Sequence, residues 1–353
     1  MSLILGIETS CDECSASILI HDKESSFIPL SVSTFSQIEL HQPFGGVVPE
    51  VASRNHLEQI EPVIHEAMTL AQVTYADLDG IAVTNRPGLI GALLVGVTAA
   101  KALAYVTQKP LIPVHHLEGH LMSAFLRSAK TPASPISFPA IFVMVSGGHT
   151  NLHYVEKPPL QWSTNMLKES LLGRSIDDAA GEAFDKTAKI LGFPYPGGKW
   201  IDQYAKGGDP RAFELPRGLK QKDSHDFSFS GLKTAVLLLS KRLEMEGSLE
   251  QAMADVCASV QEAIIDPLIR KALHLSKEKN AKSIVVVGGV AANSRLRERF
   301  QSESPVPVIY PDLAYCTDNA AMIAAAGAVR FAQGYGLRPE QYLKLNAFAI
   351  AES

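Results

Sequence analysis

Three histidines lie within the short stretch PVHHLEGHL, and two of them, His116 and His120, are four residues apart. If this stretch is helical, both project from the same face, since positions four apart lie one above the other. Neutral imidazoles at this spacing suit a first-row transition metal. The alternative, which these residues alone favour equally, is a polar stripe on a helix that buries its apolar side.

The residue order argues against a zincin metalloprotease. That class carries H-E-x-x-H, with the general base beside the first ligand, whereas this chain reads H-L-E-G-H. At about 100° per residue, Glu118 points roughly 200° away from His116. Two ligands hold a metal poorly, and Asp318 of CTDNAAM is a candidate third. An Asp before a helix is also an ordinary N-cap, so spacing alone leaves its role open.

Composition narrows the class of protein. With 353 residues, 46% of them hydrophobic and 20% charged, the chain has the profile of a globular protein with two sub-domains or one bilobal domain. A net charge of −5 argues against unaided binding of nucleic acid, which needs a basic surplus. The start has no basic region, and the apolar run Leu89 to Ala100 stops at Lys101. We therefore expect a cytoplasmic protein without membrane association.

The cysteine pattern gives only a weak signal. Cys11 and Cys14 form a C-x-x-C, but no second pair lies nearby, and Cys257 and Cys316 are far along the chain. No helical pattern follows the pair, as a thioredoxin-like motif would require. We expect reduced cysteines in a tight turn.

The elements around these residues repeat. Leu3–Ile7 and Ala16–Ile20 flank a polar turn, and Ile141–Val145 and Leu152–Val155 flank the turn SGGHTN. Between the two hairpins, SAKTPASPISFP has the composition of a linker. Elsewhere strands alternate with helices, which predicts an α/β fold.

Two features suggest binding of a phosphate and a sugar. VSGGHT and VVGGVAAN each follow a buried strand, and such turns expose N–H groups to phosphate, although ordinary tight turns share this pattern. Neither a Walker loop nor G-x-G-x-x-G is present. In the acidic stretch SIDDAAGEAFDK, Asp185 could accept hydrogen bonds from ribose hydroxyls; the alternative is a solvated helix start.

Taken together, these segments resemble the TsaD family, the tRNA threonylcarbamoyladenosine synthase subunit once described as a glycoprotease. The matching motifs, in chain order, are GIETSCDE, PVHHLEGH, VSGGHT, SIDDAAGEAFDKTAK, YPGG, FSGLKTA, VVVGGVAAN and CTDNAAMIA. The resemblance implies the duplicated α/β fold of the actin, sugar-kinase and heat-shock-chaperone (ASKHA) superfamily, with two lobes and a central cleft. The first lobe would span residues 1–131, completed by a C-terminal helix over about 319–353, and the second residues 138–318.

The resemblance also implies a site. One divalent metal per chain, taken as Fe2+ with Zn2+ as the alternative, would be held by His116, His120 and Asp318. Asp12 or Glu13 would orient or deprotonate the reacting amine, or else cap the turn. The substrate contacts carried over are Met144, Val145, Ser146, Gly147, Gly148, Asp185, Gly198, Asp202 and Asn293.

Four positions qualify the match. Met144 stands where the archaeal and eukaryotic branch has Tyr, which indicates the bacterial or organellar branch. The chain also departs from the family pattern at Cys14, Arg86 and Ala320. Arg86 replaces a glycine before a helix, which puts the local backbone geometry in question.

The implied reaction moves a threonylcarbamoyl group from threonylcarbamoyl-AMP to the exocyclic amine of the adenosine 3′ of the anticodon. The tRNAs are those that read codons starting with A, and AMP is released. The implied partners are tRNA, a TsaB-like paralogue and a TsaE-like ATPase, with a homodimer as the alternative. Two rival functions are an ATP-dependent small-molecule kinase of the same superfamily and a non-catalytic scaffold. Neither needs the histidine pair.

Overall fold

The computed structural model describes residues 1–22, 26–127, 135–219 and 224–350. These residues group into two units. The first comprises Met1–Pro135, Pro158–Lys168 and Pro311–Ser353, and the second comprises Ile136–Lys157 and Glu169–Tyr310. Most of the linker-like stretch, residues 128–134, lies outside the described residues.

The described residues form ten strands. They are β1 (Ser2–Glu8), β2 (Glu13–His21), β3 (Phe27–Ser36), β4 (Gly80–Arg86), β5 (Leu111–His115), β6 (Ala140–Val145), β7 (Thr150–Val155), β8 (Leu171–Arg174), β9 (Ser283–Val287) and β10 (Val308–Ile309).

Twelve α-helices accompany the strands within the described ranges. They are α1 (Ile38–His41), α2 (Pro49–Ala71), α3 (Ile90–Thr107), α4 (His116–Ser123), α5 (Met166–Ser170), α6 (Ala180–Ile190), α7 (Gly197–Tyr204), α8 (Ser230–Met245), α9 (Leu249–Glu278), α10 (Ser294–Glu303), α11 (Ala320–Ala332) and α12 (Pro339–Tyr342).

Each unit is built on one five-stranded sheet, and the two sheets have the same strand order. In the first unit the order is β3-β2-β1-β4-β5, and in the second it is β8-β7-β6-β9-β10. The three strands that open each unit pair antiparallel, whereas the last two run parallel to the opening strand. The predicted duplication of an α/β fold is therefore confirmed.

Strand β1 shows why the first sheet is covered on both faces. Successive side chains of a strand point to opposite faces. Leu5 and Ile7 belong to the core cluster that α2 and α3 complete. Gly6, on the opposite face, lies against α11, whose residues Ala320–Val329 are all buried. This all-round burial explains why α11 is almost entirely alanine and other small apolar residues.

Helix α3 is long and apolar enough to cross a membrane by length and composition, the one such helix among the described residues. It extends past Lys101, where the apolar run ended, to Thr107. It packs against α2 and β4, and its buried residues include Val97 and Ala100. One face of α3 is therefore packed within the first unit, while Leu94, Tyr105 and Val106 on the helix are exposed.

The interpretation of both C-x-x-C cysteines as turn residues was wrong for one of them. Strand β2 begins at Glu13, so Cys14 is fully buried inside the strand. Cys11 remains in the turn between β1 and β2. All four cysteines are free thiols.

Candidate functional site

The histidine stretch forms helix α4, which begins directly after β5. The side chain of His115 caps it by accepting a hydrogen bond from the Leu117 N–H at 3.2 Å. All eight residues of α4 are buried, with His116 6% exposed and His120 0% exposed. A solvated polar stripe is therefore excluded, and the predicted helix is confirmed.

Asp318 is not the N-cap of the helix that follows it. Asn319 caps α11 by accepting a hydrogen bond from the Met322 N–H at 3.1 Å. The Asp318 carboxylate instead lies beside α4, with Oδ1 3.2 Å from His120 Nε2 and 3.6 Å from His116 Nε2. The three potential ligand atoms lie within 4.8 Å of one another, the only such group of three in the described part of the chain.

The state of His120 tests whether this group fits a metal. Both ring nitrogens are buried and form no hydrogen bond with any described residue, although Nε2 is close to Asp318. An unpartnered buried polar atom is costly and uncommon in a folded protein. Two imidazoles and one carboxylate arranged about a common point are a donor set that divalent transition metals accept. The residues therefore fit a bound metal.

The charges around His116 also favour a cation at this position. Burial disfavours the charged imidazolium, yet Asp318 and Glu8 together raise the pKa of His116 to about 9. Burial would likewise raise the pKa of the Glu8 carboxyl, but the neighbouring His116 outweighs it and holds that pKa below its usual range. With Glu8 buried and Asp318 only partly exposed, two carboxylates on either side of one ring favour a positive charge between them. A proton on His116 or a metal cation would supply it.

Glu118 forms a salt bridge that links α4 to α11 and is not one of the candidate metal ligands. Both of its oxygens accept hydrogen bonds from the Arg330 guanidinium, the shortest being 2.6 Å. Glu118 is therefore engaged on the side of α4 that the geometry predicted, away from the two ligand histidines. Its neighbour Gly119 allows the close approach, since a Cβ there would lie 2.6 Å from Ile323 Cδ1.

The turn between β1 and β2 carries the two predicted acid–base residues. Asp12 is 5% exposed, and Glu13 is the first residue of β2. Burial first, and then the charges of Asp12 and Asp318, raise the pKa of the Glu13 carboxyl well above its usual range. Nε2 of His56, in α2, lies 2.9 Å from the Cys11 carbonyl oxygen. This contact holds the turn against α2.

In the second unit, the VSGG segment divides into a buried and an open part. Met144 and Val145 are fully buried in β6, so their side chains belong to the core. The turn closes through the Ser146 N–H, which donates to the His149 carbonyl at 2.8 Å. Gly147 and Gly148 are exposed, with open space where a Cβ would stand.

The remaining predicted substrate residues lie on or beside helices that hydrogen bonds join to one another and, through α6, to this turn. The Gly181 N–H at the start of α6 donates to the Ser146 carbonyl. Farther along α6, Asp185 accepts from the Gly197 N–H at 2.6 Å, beside Gly198 in α7. Asp202 of α7 accepts from the hydroxyl of Ser294, the residue after Asn293. These bonds join α6 to the turn, α6 to α7 and α7 to the start of α10, and the substrate contacts themselves stay a prediction.

Two of these residues also have structural roles. Asn293 caps α10 by accepting from the Leu296 N–H at 3.0 Å. Asp202 accepts from Gln261 Nε2 at 2.6 Å in addition to Ser294. A carboxylate offers about four lone-pair positions, so such bonds leave room for a ligand hydroxyl.

The basic residues of α10 are engaged within the second unit. Arg299 pairs with Glu262, Asp266 and Glu303. Arg295 pairs with Glu262 and Glu298, and Arg297 stacks over the Tyr310 ring. These three side chains are therefore occupied by contacts within the second unit.

The structure accommodates the unusual Arg86. It is the last residue of β4 and pairs with His115 across a register shift that leaves Asn85 as the extra residue. A bulge absorbs one residue without a left-handed backbone, so an arginine fits here. Ala320, another departure, is the buried first residue of α11, and its N–H donates to Ser15 Oγ.

Glu8 is the residue that sequence reasoning missed. It was assigned to the polar turn, but it ends β1 with 1% exposure and contacts His116 Nδ1 through Oε2 at 3.1 Å. The alternation of side chains between the two faces of β1 could have revealed it. Glu8 shares a strand face with Ile4 and Gly6, so a carboxylate there had to be buried and paired.

Comparison with known families identifies the chain. The model of the family described as TsaD, tRNA N6-adenosine threonylcarbamoyltransferase, matches residues 30–325. The chain belongs to this family. A protein of that name from Polaromonas naphthalenivorans is 48% identical, over 94% of this chain and 90% of the relative. One from Bacillus cereus is 45% identical, over 94% of this chain and 92% of the relative.

Members of this family are acyltransferases that modify tRNA. The protein accordingly carries out threonylcarbamoylation of tRNA adenosine at N6, and the rival kinase and scaffold functions are not favoured. The family also implies a divalent metal, for which His116, His120 and Asp318 form a possible site.

Solved structures support the ASKHA-type fold. Component A of the (R)-2-hydroxyglutaryl-CoA dehydratase of Acidaminococcus fermentans aligns with a TM-score of 0.53 and 15% identity, covering 97% of this chain and 100% of that one. The activator of the 2-hydroxyisocaproyl-CoA dehydratase of Clostridium difficile aligns with a TM-score of 0.52 and 14% identity, covering 94% and 97%. At these identities the likeness concerns the fold alone.

Proposed function

We propose that His116, His120 and Asp318 hold one Fe2+ per chain, and that this centre binds the threonylcarbamoyl group of threonylcarbamoyl-AMP. The observation that carries the proposal is the convergence of the His116 and His120 rings on the Asp318 carboxylate, with the three potential ligand atoms within 4.8 Å of one another. When bound, the metal supplies a Lewis acid for the carbonyl group of the donor. Zn2+ is the alternative ion, since the same donor set accepts it.

Activation of the donor matters because the acceptor is a poor nucleophile. The exocyclic amine of adenosine is conjugated into the ring. In the transfer, a C–N bond forms to the carbamoyl carbon, the C–O bond to AMP breaks, and the amine loses one proton. The role of the chain is then to hold the donor, orient the amine and accept that proton.

Asp12 and Glu13 are the proposed groups for the amine. Glu13 stays protonated to a higher pH than an ordinary carboxyl, because of its burial and the negative charges of Asp12 and Asp318. A carboxyl with a raised pKa is suited to exchanging a proton near neutral pH. Asp12 would orient the amine as a hydrogen-bond acceptor.

The adenylate half of the donor is proposed to bind in the second unit. The exposed turn Ser146–Gly148 presents backbone to the phosphate, and Gly147 and Gly148 leave space for it. Backbone groups of Met144 and Val145 would extend this contact, since their side chains are buried. Around the turn, the proposed contacts to the ribose and base are Asp185, Gly198, Asp202 and Asn293.

We further propose that the chain works in the cytoplasm with protein partners. Helix α3 exposes Leu94, Tyr105 and Val106, with exposed fractions of 48%, 64% and 79%, and α2 exposes Leu57 at 67%. Aromatic and aliphatic side chains so displayed are typical of a docking face. The proposed occupant is a TsaB-like paralogue or a second copy of the chain. A TsaE-like ATPase would reset the complex between turnovers.

The test combines metal analysis with group transfer. The purified chain should contain one metal ion per protomer, and the His116→Ala, His120→Ala double variant should contain none. With unmodified tRNA and chemically prepared threonylcarbamoyl-AMP, the native chain should transfer the group once, and the double variant should be inactive. Stoichiometric metal retained in the folded double variant would overturn the site assignment.

The need for partners is tested in the same assay. Sustained turnover by the isolated chain, with the adenylate-forming enzyme alone, would refute the heterodimer and favour the homodimer. A Leu94→Glu, Val106→Glu variant should lose stimulation by the partners while retaining its metal, since these side chains are exposed and lie outside the metal group.

A further inference from the structure

Glu8 is the most completely buried acidic residue around the candidate metal centre that the proposed reaction does not use. Its side chain is 1% exposed, and besides its contact with α4 the carboxylate accepts hydrogen bonds from the turn after β1 and from β4. Oε1 accepts from the Ser10 N–H at 2.5 Å, and Oε2 accepts from Thr84 Oγ1 at 2.6 Å. Such a fixed carboxylate cannot rotate to serve another site.

The third contact of Glu8 is His116. The carboxylate Oε2 lies 3.1 Å from His116 Nδ1, whereas the opposite ring nitrogen, Nε2, faces Asp318. Since a carboxylate only accepts hydrogen bonds, Nδ1 must carry the proton. The lone pair of the neutral ring is then on Nε2, on the side where Asp318 and His120 lie.

Glu8 is not itself part of the ligand group. The cluster of potential ligand atoms within 4.8 Å comprises His116, His120 and Asp318 alone among the described residues. Glu8 stands behind the ring, on the side away from Nε2. Ser10 Oγ is also near Nδ1, at 3.2 Å, but a hydroxyl can donate as well as accept and does not fix the tautomer.

We propose that Glu8 is the positioning residue of the metal centre: it holds His116 as the Nδ1–H tautomer and aims Nε2 at the metal. A carboxylate behind a histidine ligand fixes the ring orientation and makes the ligating nitrogen more basic. His120 has no such partner, since its Nδ1 forms no hydrogen bond with the described residues. The two histidine ligands are therefore unequal, and His116 is the anchored one. This inference rests on the proposed metal site.

The first experiment compares the metal affinity of the full chain and its Glu8→Gln variant. Each metal-free protein is titrated with Co2+, with visible absorption and a competing chelator as readouts. Glu8→Gln keeps the size of the side chain but removes its charge, and affinity should fall about 10- to 100-fold. The matched control is Thr84→Val, which removes another hydrogen bond to the same oxygen and leaves the charge. The Co2+ affinity of this control variant should fall by less than about threefold.

The second experiment asks whether Glu8 acts through His116. In a His116→Ala background, Glu8→Gln should lower the residual Co2+ affinity no further, because the ring that it positions is absent. An equal loss in both backgrounds would assign Glu8 a general structural role and overturn the proposal. Co2+ affinity of Glu8→Gln within about twofold of the native chain would also overturn it.

A third measurement needs no variant at position 8, and it applies if Glu8→Gln does not fold. Nitrogen-15 NMR of histidine-labelled, Zn2+-loaded protein reports which ring nitrogen binds the metal, with the His116 signal assigned by its absence in His116→Ala. Metal on Nε2 and a protected proton on Nδ1 are expected, and metal on Nδ1 would refute the proposal. If the native chain binds neither Co2+ nor Zn2+, the proposed metal site itself fails. If it binds them and only the Glu8 results disagree, the metal site stands without this inference.

Discussion

The opening hairpins of the two units occupy equivalent places in sheets of the same strand order, yet their turns differ in character. In the first unit, the turn after β1 is lined by buried groups: Glu8 accepts from the Ser10 N–H, and Asp12 is nearly inaccessible. In the second unit, the turn after β6 ends in the exposed Gly147 and Gly148, with nothing near the place of a Cβ.

The two turns are therefore suited to different tasks. A centre that must hold a metal in one geometry needs supports that are themselves fixed, and the first turn is surrounded by such supports. A loop that receives a large, charged ligand needs accessible backbone instead. On the proposed function, the same supersecondary element would therefore position the metal centre in one copy and bind the adenylate in the other.

The largest effect is expected from Gly6→Ala, because a Cβ at Gly6 would meet the backbone of α11 at Ala320 and Ala324. Backbone cannot move aside as a side-chain tip can, so we expect about 3 kcal/mol of destabilisation. The metal should be lost as well, since Asp318 immediately precedes α11. Urea unfolding and elemental analysis measure both effects. Unchanged stability would show that β1 and α11 are not as tightly packed as the structure indicates.

The next-largest effect is a loss of stability at low pH, caused by a buried histidine in the second unit. Burial lowers the pKa of His153 in β7 to about 4, and Nδ1 bonds to Ser170 Oγ at 2.9 Å. Because this pKa is depressed below the unfolded value, the stabilisation is complete above about pH 6.5 and declines as the pH falls toward 4. We expect a loss of about 2 kcal/mol between pH 7 and pH 5.

The matched control for that effect is His153→Gln, which keeps hydrogen-bonding capacity and does not titrate in this range. Urea unfolding at pH 7 and pH 5 should show a smaller decline in the variant than in the native chain. If the two proteins decline equally, His153 is not the group responsible.

A smaller effect is expected from the C-x-x-C pair. In the Cys11→Ser, Cys14→Ser variant, a hydroxyl replaces a thiol in the interior of β2, where Cys14 is fully buried, and this should cost about 1 kcal/mol. Metal content should remain unchanged, and most transfer activity should persist. A collapse of transfer activity in the folded variant would show that one of the thiols has a role in the reaction.

The smallest change in stability is expected from Gly148→Ala, the counterpart of Gly6→Ala in the open turn. The added methyl group enters empty space, so the free energy of unfolding should stay within about 0.5 kcal/mol. The metal should be retained, while KM for threonylcarbamoyl-AMP rises several-fold because the backbone is less accessible to phosphate. An unchanged KM would argue against adenylate binding at this turn.

Periodicity and motif order predicted much of the architecture. The two strand–turn–strand segments gave the duplicated plan, and the alternation of strands with helices gave the α/β class. The i, i+4 spacing placed His116 and His120 on one face of a helix, if the stretch is helical. The contribution of Asp318 came from the family resemblance, because some 200 residues separate it from His120 and no local pattern spans that distance.

What the sequence did not predict depends on packing between distant segments. Glu8 looks like a turn residue until α4 and α11 are placed over the face that it shares with Gly6. Arg86 looks incompatible with its position until the register shift at Asn85 is known. Likewise, the arginines of α10 look like a basic surface until their acidic partners on α9 are seen. In each case the deciding neighbour lies outside any local window.

The late position of α11 in the chain delays completion of the first unit during synthesis. The first unit takes its opening strands from the start of the chain, yet its central buried helix comes from residues 320–332, after the whole of the second unit. During synthesis, domains fold as their residues emerge. The second unit, complete at Tyr310, can therefore fold while the first still lacks α11. Asp318 also follows Tyr310, so His116 and His120 are synthesised some 200 residues before their carboxylate partner. If the proposed metal centre is present, it can be completed only at this late stage of synthesis.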